Sequence, residues 1–146
     1  MTIKVGINGF GRIGRLCLRA AWDWEDIEFV QINDPAGDAE THAHLLNFDS
    51  VHGRWDHQAE ANGNTILIVM INSLVTTNKA IDDTDWSACD VVIEASGKMR
   101  DTGLLQSYMD QGVKRVVVTA PIKQPGILNV VMGVNDDLYD ANKHPI

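Results

Sequence analysis

The chain has little cysteine, proline or aromatic character and a deficit of positive charge: two cysteines, four prolines, 6% aromatics, and 12 lysines and arginines against 20 acidic residues. Each shortage excludes something. Two cysteines give neither a disulfide framework nor a zinc site, and Cys17 and Cys89 read as small core residues with no histidine placed locally to activate either thiol. A net charge of −8 with pI near 4.9 argues against a nucleic-acid surface. The longest apolar run, Ile66 to Ile71, is too short to span a bilayer, and the start enters a strand without a basic and then apolar leader, so no membrane and a cytoplasmic location are expected. Linkers, repeats and low-complexity tracts are missing, and residues 1–146 are expected to form one domain.

What is there is concentrated at the start. Ile3 to Arg15 reads as a buried strand running into Gly9-x-Gly11-x-x-Gly14 and then a helix. In that arrangement one glycine permits the tight turn, the second admits phosphate to bare backbone, and the third lets the helix pack closely on the sheet. Backbone N–H groups at the helix start then face the anion. Ile13, Leu16, Cys17, Ala20 and Ala21 recur at helical spacing and are expected to cover the sheet. A second apolar run, Ile27 to Ile32, closes a strand–helix–strand unit, and Asp34 follows where a carboxylate accepts hydrogen bonds from an adenosine ribose. A carboxylate there favours NAD and repels the 2′-phosphate of NADP. A glycine motif alone is weak, and Asn33-Asp34-Pro35 is also an ordinary turn sequence; the flanking unit is what favours a dinucleotide.

Further along, Ala39 to Leu46 has helical character and Asn47 to Trp55 reads as a polar loop. A β section follows, with Thr65 to Ile71 as a strand-like run, a turn at Asn72-Ser73 and a return over Leu74 to Thr77. Val91 to Ile93 is a compact buried strand ending at Glu94-Ala95-Ser96-Gly97. Asp101 or Thr102 caps a helix carrying Leu104, Leu105, Tyr108 and Met109, stopped at Gly112. Arg115 to Val118 and Ile127 to Met132 are further strands, with a short helical turn around Asp136 to Tyr139. The alternation predicts an α/β fold, a Rossmann-type doubly wound and mainly parallel sheet with an antiparallel β excursion. Ligands of such sheets sit beyond the carboxyl ends of the strands, which gathers Asn8, Gly9, Phe10, Gly11, Arg12, Asn33, Asp34, Ser96, Gly97 and Thr119 into one candidate site. Lys98 and Arg100 either approach phosphate or stand as solvated charges. His42, His44, Asp49 and His52 lack metal-ligand spacing, and no metal is expected.

The residues resemble one family closely, the phosphorylating glyceraldehyde-3-phosphate dehydrogenases. The resemblance runs the whole length and is carried by Lys4-Val-Gly-Ile-Asn-Gly-Phe-Gly-Arg-Ile-Gly-Arg15, Ile32-Asn-Asp34, Phe48-Asp-Ser-Val-His-Gly-Arg54, Asp85-Trp86, Glu94-Ala-Ser-Gly97, Lys114-Arg-Val-Val-Val-Thr-Ala-Pro121 and Val131-Met-Gly-Val-Asn135. Asp34-Pro-Ala-Gly-Asp38 and His42-Ala-His44 look similar to bacterial forms associated with arsenate handling. The resemblance implies NAD as cofactor, Gly9, Phe10, Gly11, Arg12 and Ile13 at the pyrophosphate, Asp34 at the adenosine ribose, Ser96 and Gly97 at the cofactor-facing strand end, and Thr119 on the nicotinamide side. Lys79 stands where the family commonly has an adenine-side arginine, keeping the charge without the flat guanidinium.

The family mechanism uses a thiolate, hydride transfer to NAD and phosphorolysis of a thioester. Its cysteine and histidine belong to a catalytic domain that begins just past the segment matching His144-Pro145-Ile146. The chain alone is therefore expected to bind NAD without turnover. The absence of the family's closing helix, together with the apolar continuation Val69-Met70-Ile71 where a glycine-bearing hairpin turn is usual, leads to an expectation of self-association. Alternatives are a non-catalytic nucleotide-fold scaffold and a domain of a related erythrose-4-phosphate-type dehydrogenase.

Overall fold

The computed structural model describes residues 2–146. The opening run forms strand β1 (Ile3–Asn8), whose last four residues are buried, and it sits inside the sheet because apolar or small residues occupy both of its faces. After helix α1 (Arg12–Ala21) the chain returns as β2 (Ile27–Asn33), parallel to β1 from Ile3↔Ile27 to Asn8↔Asn33. Helix α2 (Ala39–Asn47) starts at Asp38, whose side chain accepts the Thr41 N–H at 2.9 Å. The segment read as a loop over Asn47 to Trp55 holds a small separate hairpin, β3 (Phe48–Asp49) with β4 (Gly53–Arg54).

The antiparallel excursion is β5 (Ala59–Asn62), β6 (Thr65–Ile68) and β7 (Ile71–Thr76), and β7 rejoins the parallel sheet beside β2. The turn expected at Asn72-Ser73 lies instead at Val69-Met70, between the paired residues Ile68 and Ile71. Ser73 belongs inside β7, where its hydroxyl donates to the Phe29 carbonyl at 2.7 Å and is fully buried. Val69 makes the turn at φ 57, a left-handed conformation that strains a β-branched residue. The apolar run is thus folded back on itself rather than extended, and the outer strand of this edge is β5, polar at Glu60 and Asn62.

A single 3₁₀ turn (Ile81–Asp83) leads to β8 (Val91–Glu94), helix α3 (Thr102–Asp110) and β9 (Arg115–Val118). The sheet order is β5-β6-β7-β2-β1-β8-β9, with β7 to β9 parallel. From β1 the chain winds outward through β2 to β7 on one side and then crosses back to β8 on the other, which makes the gap between β1 and β8 the switch point of a doubly wound sheet. Two apolar cores form, one gathering Val5, Ile7, Phe29, Leu18 and Leu46, the other Val92, Val116, Trp86, Leu105 and Tyr108. Among the described residues no helix is long and apolar enough to cross a membrane.

Two expectations are corrected. Of the stripe Ile13, Leu16, Cys17, Ala20 and Ala21, Ala21 packs against the core and Leu16 and Cys17 are half-buried, but Ile13 and Ala20 are exposed; helix α1 buries Gly14 and Leu18 instead, with Trp22 alongside. The close approach at Gly14 fixes the rotation of the helix, and it turns Ile13 outward, 52% exposed. Ile127 to Met132 is not a strand. Asparagine side chains hold it instead: Asn135 accepts from the Val131 N–H and donates to the Asn129 carbonyl, and the Asn129 side chain exchanges two bonds with the Ile122 backbone (2.9 and 2.8 Å). A groove of about 790 Å³ separates this segment from β9, and on that edge the Val116 N–H is taken by the Pro145 carbonyl at 2.9 Å.

Candidate functional site

The three glycines of the opening loop do three different things. Gly9 turns at φ 93, and a Cβ there would stand 2.3 Å from the Ser96 nitrogen, so the loop lies directly on the end of β8. Gly14 brings α1 down onto the same loop, where a Cβ would meet the Gly9 carbonyl at 2.2 Å. At Gly11 a Cβ would meet nothing within 4 Å: this glycine faces open space. Helix α1 begins there with no side-chain cap and no acidic residue in its first turn, leaving its first N–H groups for an outside acceptor. Arg12 and Ile13 are exposed beside it. Phe10 is fully buried, edge-on to His42 with ring centroids 5.5 Å apart, so its part in the loop is played by backbone.

Asp34 follows β2, half-buried, on the other side of this loop. One carboxylate oxygen accepts the Phe10 N–H at 2.7 Å and the other the Ala36 N–H at 2.8 Å. Each oxygen keeps further acceptor capacity, so a ribose diol can be met without dismantling either bond. Arg15 supports the turn from beneath by donating to the Phe10 carbonyl at 2.9 Å. Thus the fold brings Gly9 to Ile13 and Asp34 side by side, with backbone donors in the loop and a carboxylate next to them.

Asn8 and Asn33 are placed differently from the sequence reading. Both end their strands with side chains pointing into the protein, 5% and 2% exposed. Asn33 donates to the Asn8 side chain (2.8 Å) and the Asn78 carbonyl (3.0 Å), and accepts from the Thr76 hydroxyl (2.8 Å) and the Asn78 N–H (2.9 Å). Asn8 donates to Glu94 and Tyr108, both at 2.7 Å. With those bonds made, the two asparagines tie strand ends together. Register makes this happen, since Asn8 pairs with Asn33 on one side and Glu94 on the other.

Glu94 and Tyr108 are the residues the sequence reading missed. Glu94 is 1% exposed and Tyr108 fully buried, and the phenol donates to the carboxylate at 2.6 Å. Burial, and then the neighbouring carboxylate, push the Tyr108 phenol well above its ordinary value. The one local signal was an acid closing an otherwise apolar strand.

Ser96 donates its hydroxyl inward to Glu94, while Gly97 turns at φ 71 into open space. Thr119, exposed at the end of β9, donates through its N–H to the Glu94 carbonyl at 3.0 Å. Lys79 is exposed in the loop after β7, next to the end of β2. Arg100 turns back to donate to the Gly97 carbonyl at 3.1 Å, and Lys98 is exposed. The histidines scatter: His42 is buried between α2 and the Phe10 ring, His44 sits tilted against Phe48 5.2 Å away, and His52 pairs with Asp49 at 3.2 Å. Burial raises both thiols, Cys89 to about 12.

Comparison with known proteins agrees with this geometry. The family described as glyceraldehyde 3-phosphate dehydrogenase, NAD binding domain, matches residues 3–102. The chain is 51% identical over 146 residues to glyceraldehyde-3-phosphate dehydrogenase 3 of Nostoc sp. (strain PCC 7120), covering 99% of this chain and 43% of that protein. It is 41% identical over 148 residues to glyceraldehyde-3-phosphate dehydrogenase of Geobacillus stearothermophilus, covering 100% and 44%. The corresponding enzyme of Heyndrickxia coagulans is 40% identical over 151 residues, again covering 100% and 44%. The chain therefore spans less than half the length of the curated relatives it matches.

Proposed function

Since the chain belongs to the family of glyceraldehyde 3-phosphate dehydrogenase NAD-binding domains, we propose that it holds NAD across the strand-end crevice centred between β1 and β8. The observation that carries this reading is Gly11 opening onto an uncapped α1 N-terminus beside the Asp34 carboxylate. Phosphate oxygens fit where Gly11, Arg12 and Ile13 offer backbone donors and the helix dipole favours negative charge. Asp34 takes the adenosine ribose hydroxyls and disfavours a 2′-phosphate by like charge. Ser96, Gly97 and Thr119 flank the other half of the crevice, and Lys79 lies on the adenine side.

NAD accepts a hydride when bound; this chain's residues bind it, orient it and set which cofactor is admitted. In the whole protein the proposed reaction is oxidation of a phosphorylated aldehyde to an acyl phosphate, in the cytoplasm, with the nucleophilic thiolate supplied from outside these residues. Neither cysteine here suits that part, because Cys89 is buried beneath Trp86 and β1 with a raised thiol and Cys17 lies along α1. Val117, Val131, Met132 and Val134 are each more than half exposed and support association with a further domain or another copy.

Calorimetry with NAD and NADP tests the cofactor reading. NAD is expected to bind more tightly, and Asp34→Ala to weaken NAD roughly 10- to 100-fold, the scale of one or two hydrogen bonds to a charged group. The same variant is expected to narrow the preference over NADP. Tighter binding of NADP by the unaltered chain would contradict the role of Asp34, and sedimentation as a monomer at high concentration would contradict self-association.

A further inference from the structure

We propose that Glu94 is a positioning residue that holds the two cofactor-facing loops of this site against each other from below, a role that rests on the NAD reading and extends it to a buried side chain. Its two oxygens receive four donors: the Ser96 N–H (2.9 Å) and hydroxyl on one, the Tyr108 hydroxyl (2.6 Å) and Asn8 amide (2.7 Å) on the other. A carboxylate accepts only, with about four lone-pair positions, so the set is complete. Taking a carboxylate out of water is costly unless such bonds replace its hydration.

What those bonds hold is specific. Ser96 is the residue on which the Gly9 turn rests, at a separation that leaves no room for a Cβ, so fixing the Ser96 backbone fixes the seat of the pyrophosphate loop. The Ser96 hydroxyl, drawn inward by the carboxylate, also accepts the Lys98 N–H at 3.2 Å and shapes the turn through Gly97. Asn8 ends the strand that feeds Gly9, and its amide is held by the same carboxylate. The β1 loop and the β8 loop are thereby anchored to one buried group. Asp34 on the adenosine side makes no bond to Glu94 and accepts the Phe10 and Ala36 N–H groups.

Glu94→Gln is the informative substitution. It keeps the shape but replaces one acceptor oxygen with an NH₂ that must face a donor, and a backbone N–H such as that of Ser96 cannot reverse its role. The expected result is an NAD dissociation constant raised about tenfold, the scale of one hydrogen bond to a charged group. The affinity for adenosine, which carries no phosphate and reads only the adenosine side, should stay within about twofold on the same scale. Amide hydrogen exchange is expected to quicken at Ser96 and Gly97 and to stay unchanged at Asn33 and Asp34. Unchanged NAD affinity in a folded Glu94→Gln chain would overturn the proposal, and so would equal losses of NAD and adenosine, which would make Glu94 a general support of the fold. Should Glu94→Gln not fold, Tyr108→Phe removes one of the four donors, and an NAD dissociation constant that it does not raise overturns the proposal equally. A chain that binds neither NAD nor adenosine before substitution defeats the cofactor reading itself; unaltered exchange at Ser96 defeats the positioning claim independently of any ligand.

Discussion

Residues 3–34 and residues 119–146 both combine apolar runs with glycines and asparagines, yet they fold by different rules. In the first region every apolar run has somewhere to go: β1 lies between β2 and β8, α1 covers one face, and the asparagines at the strand ends bond across strands. In the second, Ile127 to Met132 faces β9 across a groove, and Asn129 and Asn135 bond nearby backbone of the same region in place of a partner strand. An extended apolar segment becomes a strand only when another backbone is present to receive its N–H and C=O groups. Where that backbone is missing, short polar side chains take the bonds and the apolar residues stay half outside. Met132 is 79% exposed and Val134 77%, whereas Ile7 and Ile32 are fully buried.

Gly9→Ala attacks this contrast at its strongest point. A Cβ 2.3 Å from the Ser96 backbone at φ 93 cannot be relieved by a side-chain rotation. Denaturant unfolding should show a loss of about 3 kcal/mol or more, with NAD binding abolished in calorimetry. A smaller loss would mean that the two loops are less rigidly packed than their geometry states.

His42→Leu is the next largest, in the opposite direction. His42, on α2 beside the first region, is 3% exposed, and among the described residues neither ring nitrogen has a hydrogen-bond partner. Replacing it by leucine is expected to stabilise the chain by about 1–2 kcal/mol. Burial lowers the imidazole from its ordinary 6.5, with Arg15 acting the same way and Asp34 and Asp38 opposing. The unfolded chain therefore binds more protons than the folded one below pH 6.5, so this contribution is full above that pH and declines as pH falls toward the lowered folded-state value. Melting curves across that window should show a steeper acid loss for the unaltered chain than for His42→Leu; parallel losses would assign the acid sensitivity to other groups.

Val69→Gly sharpens the comparison within the β excursion. Removing the β-branched side chain from φ 57 is expected to raise stability by about 1 kcal/mol net of the glycine's unfolded-state entropy, read from the denaturation midpoint. Smallest of all, Met132→Ser should change stability by less than about 0.5 kcal/mol because that side chain is exposed. A clear loss of stability there would show that the segment carries packing its exposure hides.

Much of the candidate site was legible because its logic is local. Gly9, Gly11 and Gly14 are read from their spacing, and Asp34 from its place at the end of the second strand. The covering face of α1 was not legible, since apolar periodicity gives a stripe but not its rotation, and here the Gly14 contact with the loop sets the rotation. Nor was Val69-Met70 legible as a turn, because intrinsic preference there points to strand and the register of Ile68 with Ile71 overrides it.

By itself the sequence determined the strand–helix–strand opening, the glycine turn and the acidic residue after β2, because backbone freedom at glycine and the periods of helix and strand are properties of neighbouring residues. Only the tertiary structure decided that Asn8 and Asn33 face inward, that Glu94 collects donors from Ser96, Tyr108 and Asn8, and that Ile127 to Met132 stays out of the sheet. Those outcomes depend on which strand ends lie side by side and which edges find a partner, and the residues that meet there are up to a hundred positions apart in the chain.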